Sequence, residues 1–167
     1  MNITRDDETF EFSIWDTAGY EGYSRLRSLT YPKTDLFYIC FSVVDYNSFE
    51  DVKKKWISEI SYHKLTSTKI ILVGTKTDLR NDQETLDNLA KDGKEPLIYE
   101  DGYNLAQEIG AIGYLECSSL TNEKYELIFE EGYNFCIEKK QNENNSSYNI
   151  NDYRIPSCIS RAKSARN

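Results

Sequence analysis

The sequence predicts an α/β domain of three layers, a doubly wound and mostly parallel sheet with helices on both faces. Three observations predict it. Continuous apolar runs, suited to strands covered on both faces, alternate with stretches whose apolar residues recur at helical spacing. Polar clusters follow directly on the strand runs, at the carboxyl ends where ligands of such sheets bind. The chain of 167 residues, 39% hydrophobic and 29% charged, is long enough for one sizeable core.

Phe10, Phe12 and Ile14 alternate with polar residues, which predicts a strand ending near Asp16. "LFYICFSV" at residues 36–43 is an apolar run rich in aromatics and predicts a buried strand. Ser48 with Asp51 three positions later signals a capping box, after which Phe49, Val52, Trp56 and Ile60 keep helical spacing. "KIILVGTKTD" at 69–78 repeats the strand theme and stops at Gly74. A short helix fits residues 83–92, with Asp82 as cap and Gly93 as terminator. Leu105, Ala106 and Ile109 precede a C-terminal stop at Gly110, and "GYLECSS" at 113–119 is a fourth strand. Tyr125, Ile128, Phe129 and Phe135 mark a last helix running to about Lys140. The domain therefore spans residues 1–140. Beyond it "QNENNSSYNIND" is polar and Asn-rich, so 141–167 reads as a disordered tail.

The formal charge of −8 is unevenly spread. From residue 151 on, Arg154, Arg161, Lys163 and Arg166 stand against Asp152 alone, so the rest of the chain carries −11. An acidic body argues against nucleic-acid binding, which needs a basic face. Cys40, Cys117, Cys136 and Cys158 form no Cys-x-x-Cys pair. Three of them sit in apolar runs, as buried reduced thiols of an intracellular protein do. No stretch is long enough to span a membrane.

The polar clusters at residues 16–20, 75–78 and 118–120 are expected to line one crevice. Their residues carry a resemblance. "WDTAGYEGYSRLRSLTYPKTDLFYICFSV", "ILVGTKTDLR" and "YLECSSLT" resemble the Rho branch of the Ras superfamily of small GTPases, from about residue 10 to about residue 138. "RNDQETLDNLAKDGKEPLIYEDG" is similar to the insert that sets Rho proteins apart. The resemblance implies a small-GTPase fold of the P-loop NTPase kind and a guanine-nucleotide switch in signal transduction, with actin regulation as the Rho theme. GTP or GDP and Mg²⁺ would be its cofactors. Exchange factors, GTPase-activating proteins and effectors would be its partners.

Each motif has a chemical logic. Asp78 offers two carboxylate oxygens to the N1–H and exocyclic amine of guanine, a donor pair adenine lacks. Lys76, in the resemblance, lays its aliphatic stem along the base, with Thr75 beside it. Ser118, Ser119 and Leu120 resemble the loop whose backbone N–H reads the guanine O6. Taken singly, Asp78 and Ser118 only cap turns; as an ordered set they point to guanine. The turn of Asp16, Thr17, Ala18 and Gly19 resembles the one that faces the γ-phosphate, with Asp16 holding Mg²⁺ through water and the Gly19 N–H meeting the phosphate.

Two departures bear on catalysis. Tyr20 stands where the resemblance has a water-orienting glutamine, and a phenol with one rotatable O–H cannot copy that two-ended amide. No G-x-x-x-x-G-K-[ST] loop occurs, and about forty residues that would carry it and a switch threonine are absent relative to the resemblance. The expectation is an incomplete chain, inactive in hydrolysis as it stands, whose missing first strand leaves a gap between the strands at 10–16 and 36–43. No C-a-a-X box is present, since Ser164 holds the fourth position from the end and "CISR" at 158–161 is internal. Membrane association should be weak or absent, and the expected location is cytoplasmic or peripheral at a membrane.

An alternative function remains open. Residues 23–32 resemble the second switch, where Tyr23, Arg25, Leu26, Arg27 and Leu29 would form a partner surface, although Leu29 is expected to pack on the neighbouring helix. Such a surface could serve as an interaction module without nucleotide. An oxidoreductase reading lacks the dinucleotide fingerprint.

Overall fold

In the computed structural model, residues 2–5, 8–63 and 68–145 are described. The chain forms two sheets. β1 (Asn2–Arg5) and β2 (Glu8–Glu11) make an antiparallel hairpin. β3 (Leu36–Ser42), β4 (Lys69–Thr75) and β5 (Gly113–Glu116) form a parallel sheet in the order β3-β4-β5. Parallel neighbours need crossovers. The first consists of α2 (Tyr46–Asp51), a π-helical stretch (Val52–Ile57) and α3 (Ser58–His63). The second holds a 3₁₀ turn (Thr77–Asn81), α4 (Gln83–Lys91) and α5 (Tyr99–Glu108). Before β3 lie a 3₁₀ turn (Glu21–Tyr23) and α1 (Ser24–Ser28), and after β5 comes the long α6 (Tyr125–Asn145).

Side-chain alternation gives the parallel sheet two buried faces. Ile39, Phe41 and Val43 meet Val52, Ile60, Leu72, Leu105 and Ala106 on one side, where Phe49 and Trp56 are partly buried. Ile71, Val73, Cys117 and Ile128 cluster on the other, joined by Leu36 and Tyr38. Helices thus cover both faces, as the apolar runs imply. On the second face α6 comes close: a Cβ at Gly132 would overlap the Tyr38 phenol, whose Oη donates to the Ile128 carbonyl at 3.1 Å. Asp82 caps α4 by accepting from the Thr85 N–H, and Gly93 and Gly110 take positive φ where their helices end.

Several expectations are corrected. The strand expected to reach Asp16 ends at Glu11, and residues 12–20 adopt neither helix nor strand. Past Asn2↔Glu11 no strand among the described residues pairs with residues 12–16, so their alternation meets no ladder. The hairpin shares no ladder with β3 among the described residues. It leans on α6 instead, Phe12 just past β2 packing against Tyr133 with the rings tilted and their centroids 4.6 Å apart. Asp45, not Ser48, caps α2, accepting from the N–H groups of Asn47 and Ser48. The Ser48 hydroxyl donates to the Asp45 carbonyl and accepts from the Ser42 N–H, tying the helix start to β3. Cys40, one of the thiols expected to be buried, is exposed: it lies on the face of β3 opposite Ile39 and Phe41, beyond Leu36 and Tyr38, the residues of that face that pack on the Ile128 cluster. The last helix passes Lys140 and takes in 141–145, while the rest of the expected tail lies outside the described residues.

The close approach at Gly132 makes a stability prediction. Gly132→Ala should destabilise by about 1–3 kcal/mol through overpacking. Combined with Tyr38→Phe, it should cost clearly less than the two single changes added together, because the phenol oxygen it collides with is gone. Thermal unfolding of the four variants in this cycle measures the coupling, and strict additivity would show that α6 simply moves away.

Candidate functional site

The parallel register carries β4 and β5 to a common end. The Cys117 N–H donates to the Gly74 carbonyl at 2.9 Å, and the Thr77 N–H donates to the Cys117 carbonyl at 3.3 Å. The loops after β4 and β5 are therefore stitched together by backbone. Between them the Ser118 hydroxyl, in a side chain with no exposed surface, donates to Asp78 Oδ1 at 2.5 Å. Ser118 also accepts from the Thr121 N–H, and its own N–H reaches the Glu123 carbonyl. Lys76 takes a left-handed conformation, φ 61°, and is exposed, as are Ser119 and Leu120. The Thr75 hydroxyl is turned back to the Phe41 carbonyl at 2.9 Å.

The 3₁₀ turn that carries Asp78 is anchored from below. Arg80 makes two 2.6 Å bonds to the Glu116 carboxylate and a third to the Leu97 carbonyl. Tyr114 donates its hydroxyl to the same carboxylate at 2.6 Å, and burial, with that carboxylate second, drives the phenol pKa well above its usual range. A carboxylate that accepts these three bonds ties the loop that presents Asp78 to β5. Sequence reasoning missed Arg80 and Glu116, since neither charged residue carries a signal of a partner 36 positions away.

The turn at 16–20 is held by α1 and the first crossover, and no hydrogen bond joins it to 75–78 or 118–120 among the described residues. Asp16, Ala18, Gly19 and Tyr20 are exposed and Thr17 half-buried. Arg27, expected on a partner surface, is only 4% exposed. Its guanidinium grips Glu59 with two bonds of 2.8 Å and donates to the carbonyls of Ala18 at 2.5 Å and Tyr20 at 3.3 Å. Tyr31 Oη donates to Glu59 at 2.5 Å. Burying a guanidinium demands partners for its charge and its planar donors, and this position supplies both. Leu29, expected to pack on a helix, is 74% exposed; Tyr23, Arg25 and Leu26 are exposed as the sequence suggested.

The site residues can be matched to the groups a guanine switch holds. Asp78 Oδ1 spends one lone pair on Ser118, so the carboxylate keeps an acceptor on each oxygen for a two-point contact. Thr77 Oγ1 in the same loop is buried without a hydrogen-bond partner. Among the described residues no three His, Cys, Asp or Glu side chains converge to hold a metal. Asp16 is a single exposed carboxylate, which fits Mg²⁺ arriving with phosphate oxygens and water, its usual company, rather than a metal caged by protein alone.

A family model for the Ras family matches residues 1–137, and the chain belongs to that family. Its members are small GTPases, guanine-nucleotide switches that generally bind GTP or GDP with Mg²⁺ and work through regulators and effectors. The parallel β3-β4-β5 sheet with its helices is the α/β core expected of that fold.

The buried network makes a pH prediction. Arg27, first, holds the Glu59 carboxyl below its ordinary 4.5, and burial, ahead of Glu59, pushes Tyr31 up to about 12. A depressed carboxyl contributes stability that is whole above the unfolded pKa and lost as pH falls through the folded one. A raised phenol's contribution is whole below 10.0 and lost as pH climbs toward about 12. Glu59→Gln should lower stability at neutral pH by on the order of 2 kcal/mol. The gap to wild type should close as pH falls below 4.5. Melting temperatures of both proteins across pH test this; a gap that persists in acid would place the stabilisation elsewhere.

Proposed function

We propose that this chain is a Rho-type guanine-nucleotide switch of intracellular signalling. One observation carries the nucleotide reading: Asp78 is pinned by buried Ser118 across the joined ends of β4 and β5, beside exposed Lys76. That arrangement suits Asp78 for the guanine N1–H and amine, Lys76 and Thr75 for the base edge and face, and the N–H groups of Ser119 and Leu120 for O6. Asp16, Thr17, Ala18 and Gly19 are assigned to the phosphate and Mg²⁺ side. The Rho-type part is supported by α4, which forms where the resemblance has its insert. Actin regulation, exchange factors, GTPase-activating proteins and effectors are assigned on the same ground, as is a cytoplasmic or membrane-peripheral location.

A second reading, a nucleotide-independent module that binds Rho regulators or effectors, is favoured by one observation. Trp15, Tyr20, Tyr23, Leu26 and Leu29 are 72%, 72%, 52%, 63% and 74% exposed within a single short segment. So many large apolar side chains in water mark a contact surface.

Nucleotide titration separates the two. GDP and GTP should bind in preference to ATP, and Asp78→Asn should weaken them by about 1–3 kcal/mol. Equal affinity for ATP and GTP, or none for either with partner binding intact, would favour the second reading.

Tyr20 is the assigned position of the water-orienting residue, and a phenol leaves hydrolysis slow. In a chain extended by a family-type glycine loop and switch threonine, Tyr20→Gln should raise single-turnover hydrolysis at least ~10-fold, or ~1.4 kcal/mol off the barrier. If the tyrosine form is already as fast, another group orients the water.

A further inference from the structure

Three consecutive carbonyls of the turn are taken by two cations of the protein. Arg27 receives those of Ala18 and Tyr20, and Lys55 Nζ donates to Gly19 at 3.3 Å. Both cations lie over the Trp56 indole, Arg27 Cζ at 4.9 Å and Lys55 Nζ at 4.5 Å from the ring centroid. Cations over an indole are held by its quadrupole, which fixes where their remaining donors point. Each is pinned again by a carboxylate, Arg27 by Glu59 and Lys55 by Glu21 at 3.5 Å. A Cβ added at Gly19 would sit 3.9 Å from the edge of the same indole, so the turn passes about one methyl group away from Trp56.

We infer that Arg27 and Lys55 are positioning residues that set the orientation of this turn, one from α1 and the other from the first crossover. No peptide bond among the described residues is cis. In a planar trans peptide the C=O and the next N–H point in opposite directions. With the carbonyls of Ala18, Gly19 and Tyr20 drawn toward the π-helical stretch and α3, the N–H groups of Gly19, Tyr20 and Glu21 are turned away from them. The result is a row of backbone donors facing outward beside Asp16, fixed by the protein's own side chains. Donors already aimed at an anion need no reorganisation when it arrives.

The inference also explains why a single charged residue of the 23–29 segment is buried while its neighbours stay in water. Arg27 serves the turn beneath it. A lysine could not grip Glu59 at two points and still reach two carbonyls from a planar fork.

The inference leans on the guanine-nucleotide reading only for the identity of the anion, a nucleotide phosphate. Its test uses no nucleotide, so the two can fail separately. Backbone ¹⁵N order parameters would be measured in the full chain for residues 18–22 and, as internal reference, for β4. Wild type should show both near ~0.85. Lys55→Met, at a half-buried surface position that the core does not need, should lower the turn toward ~0.6 and leave β4 unchanged. Lys55→Arg should restore it, and Arg27→Gln should lower it further. A turn that is mobile in wild type, that keeps its order in both variants, or that loosens only together with β4 would overturn the proposal.

Discussion

The register of the parallel sheet is the constraint on which the rest depends. β3 pairs with β4 from Leu36↔Lys69 to Ser42↔Thr75, and β4 with β5 from Ile71↔Gly113 to Gly74↔Glu116. A slip of one residue would turn Leu72 out of one core and Val73 out of the other. Both are all but fully buried, so the slip would expose apolar surface at once on two faces. Holding register has a consequence beyond stability. It brings the ends of β4 and β5 level, so that Thr77 can donate to Cys117 and Asp78 can meet Ser118.

How much of this is legible in the sequence depends on whether the cause is local. β3 and β4 are runs in which every residue suits a covered strand, and both lie where those runs lie. Asp82 and Gly93 bound α4 because caps and left-handed stops are chosen by the residue itself. The strand at residues 10–14 fails for the opposite reason. Alternation describes the side chains, but a strand also needs a neighbour for its backbone, and among the described residues none pairs with 12–16. Ile14 keeps the right phase and is 57% exposed all the same. Ser48 likewise satisfies a capping pattern that Asp45, three residues earlier, satisfies with a carboxylate.

The candidate site divides along the same line. Asp78, Lys76 and Ser118 are legible because their spacing to the strand ends is short and the strands fix it. The turn at residues 16–20 hangs on contacts of long sequence separation, Arg27 to Glu59 and Lys55 to Gly19. Trp56 reads from helical spacing as one more core residue, and it is partly buried against the core. Nothing in that spacing says that its ring also carries two cations. An arginine between exposed leucines reads as a surface charge until the carboxylate that buries it is found.

Tyr20 shows how such a turn accepts an unusual side chain. Its ring folds back along its own 3₁₀ turn, with the Tyr23 ring edge-on at a centroid distance of 5.9 Å. It also covers Gly22, where a Cβ would stand 2.6 Å from a ring carbon. Real Cβ atoms do not tolerate that spacing, so the tyrosine conformation requires that residue 22 carry no side chain. The carbonyl of Tyr20 is meanwhile fixed by Arg27 and by the Tyr23 N–H at 3.1 Å. Tyr23 touches both the backbone and the ring of this residue, while Arg27 holds only the backbone and Gly22 makes room only for the ring. The clamp decides where the peptide planes point, and the glycine decides where the ring goes. Exchange of the ring for an amide leaves the first arrangement intact, because none of its hydrogen bonds involves the phenol.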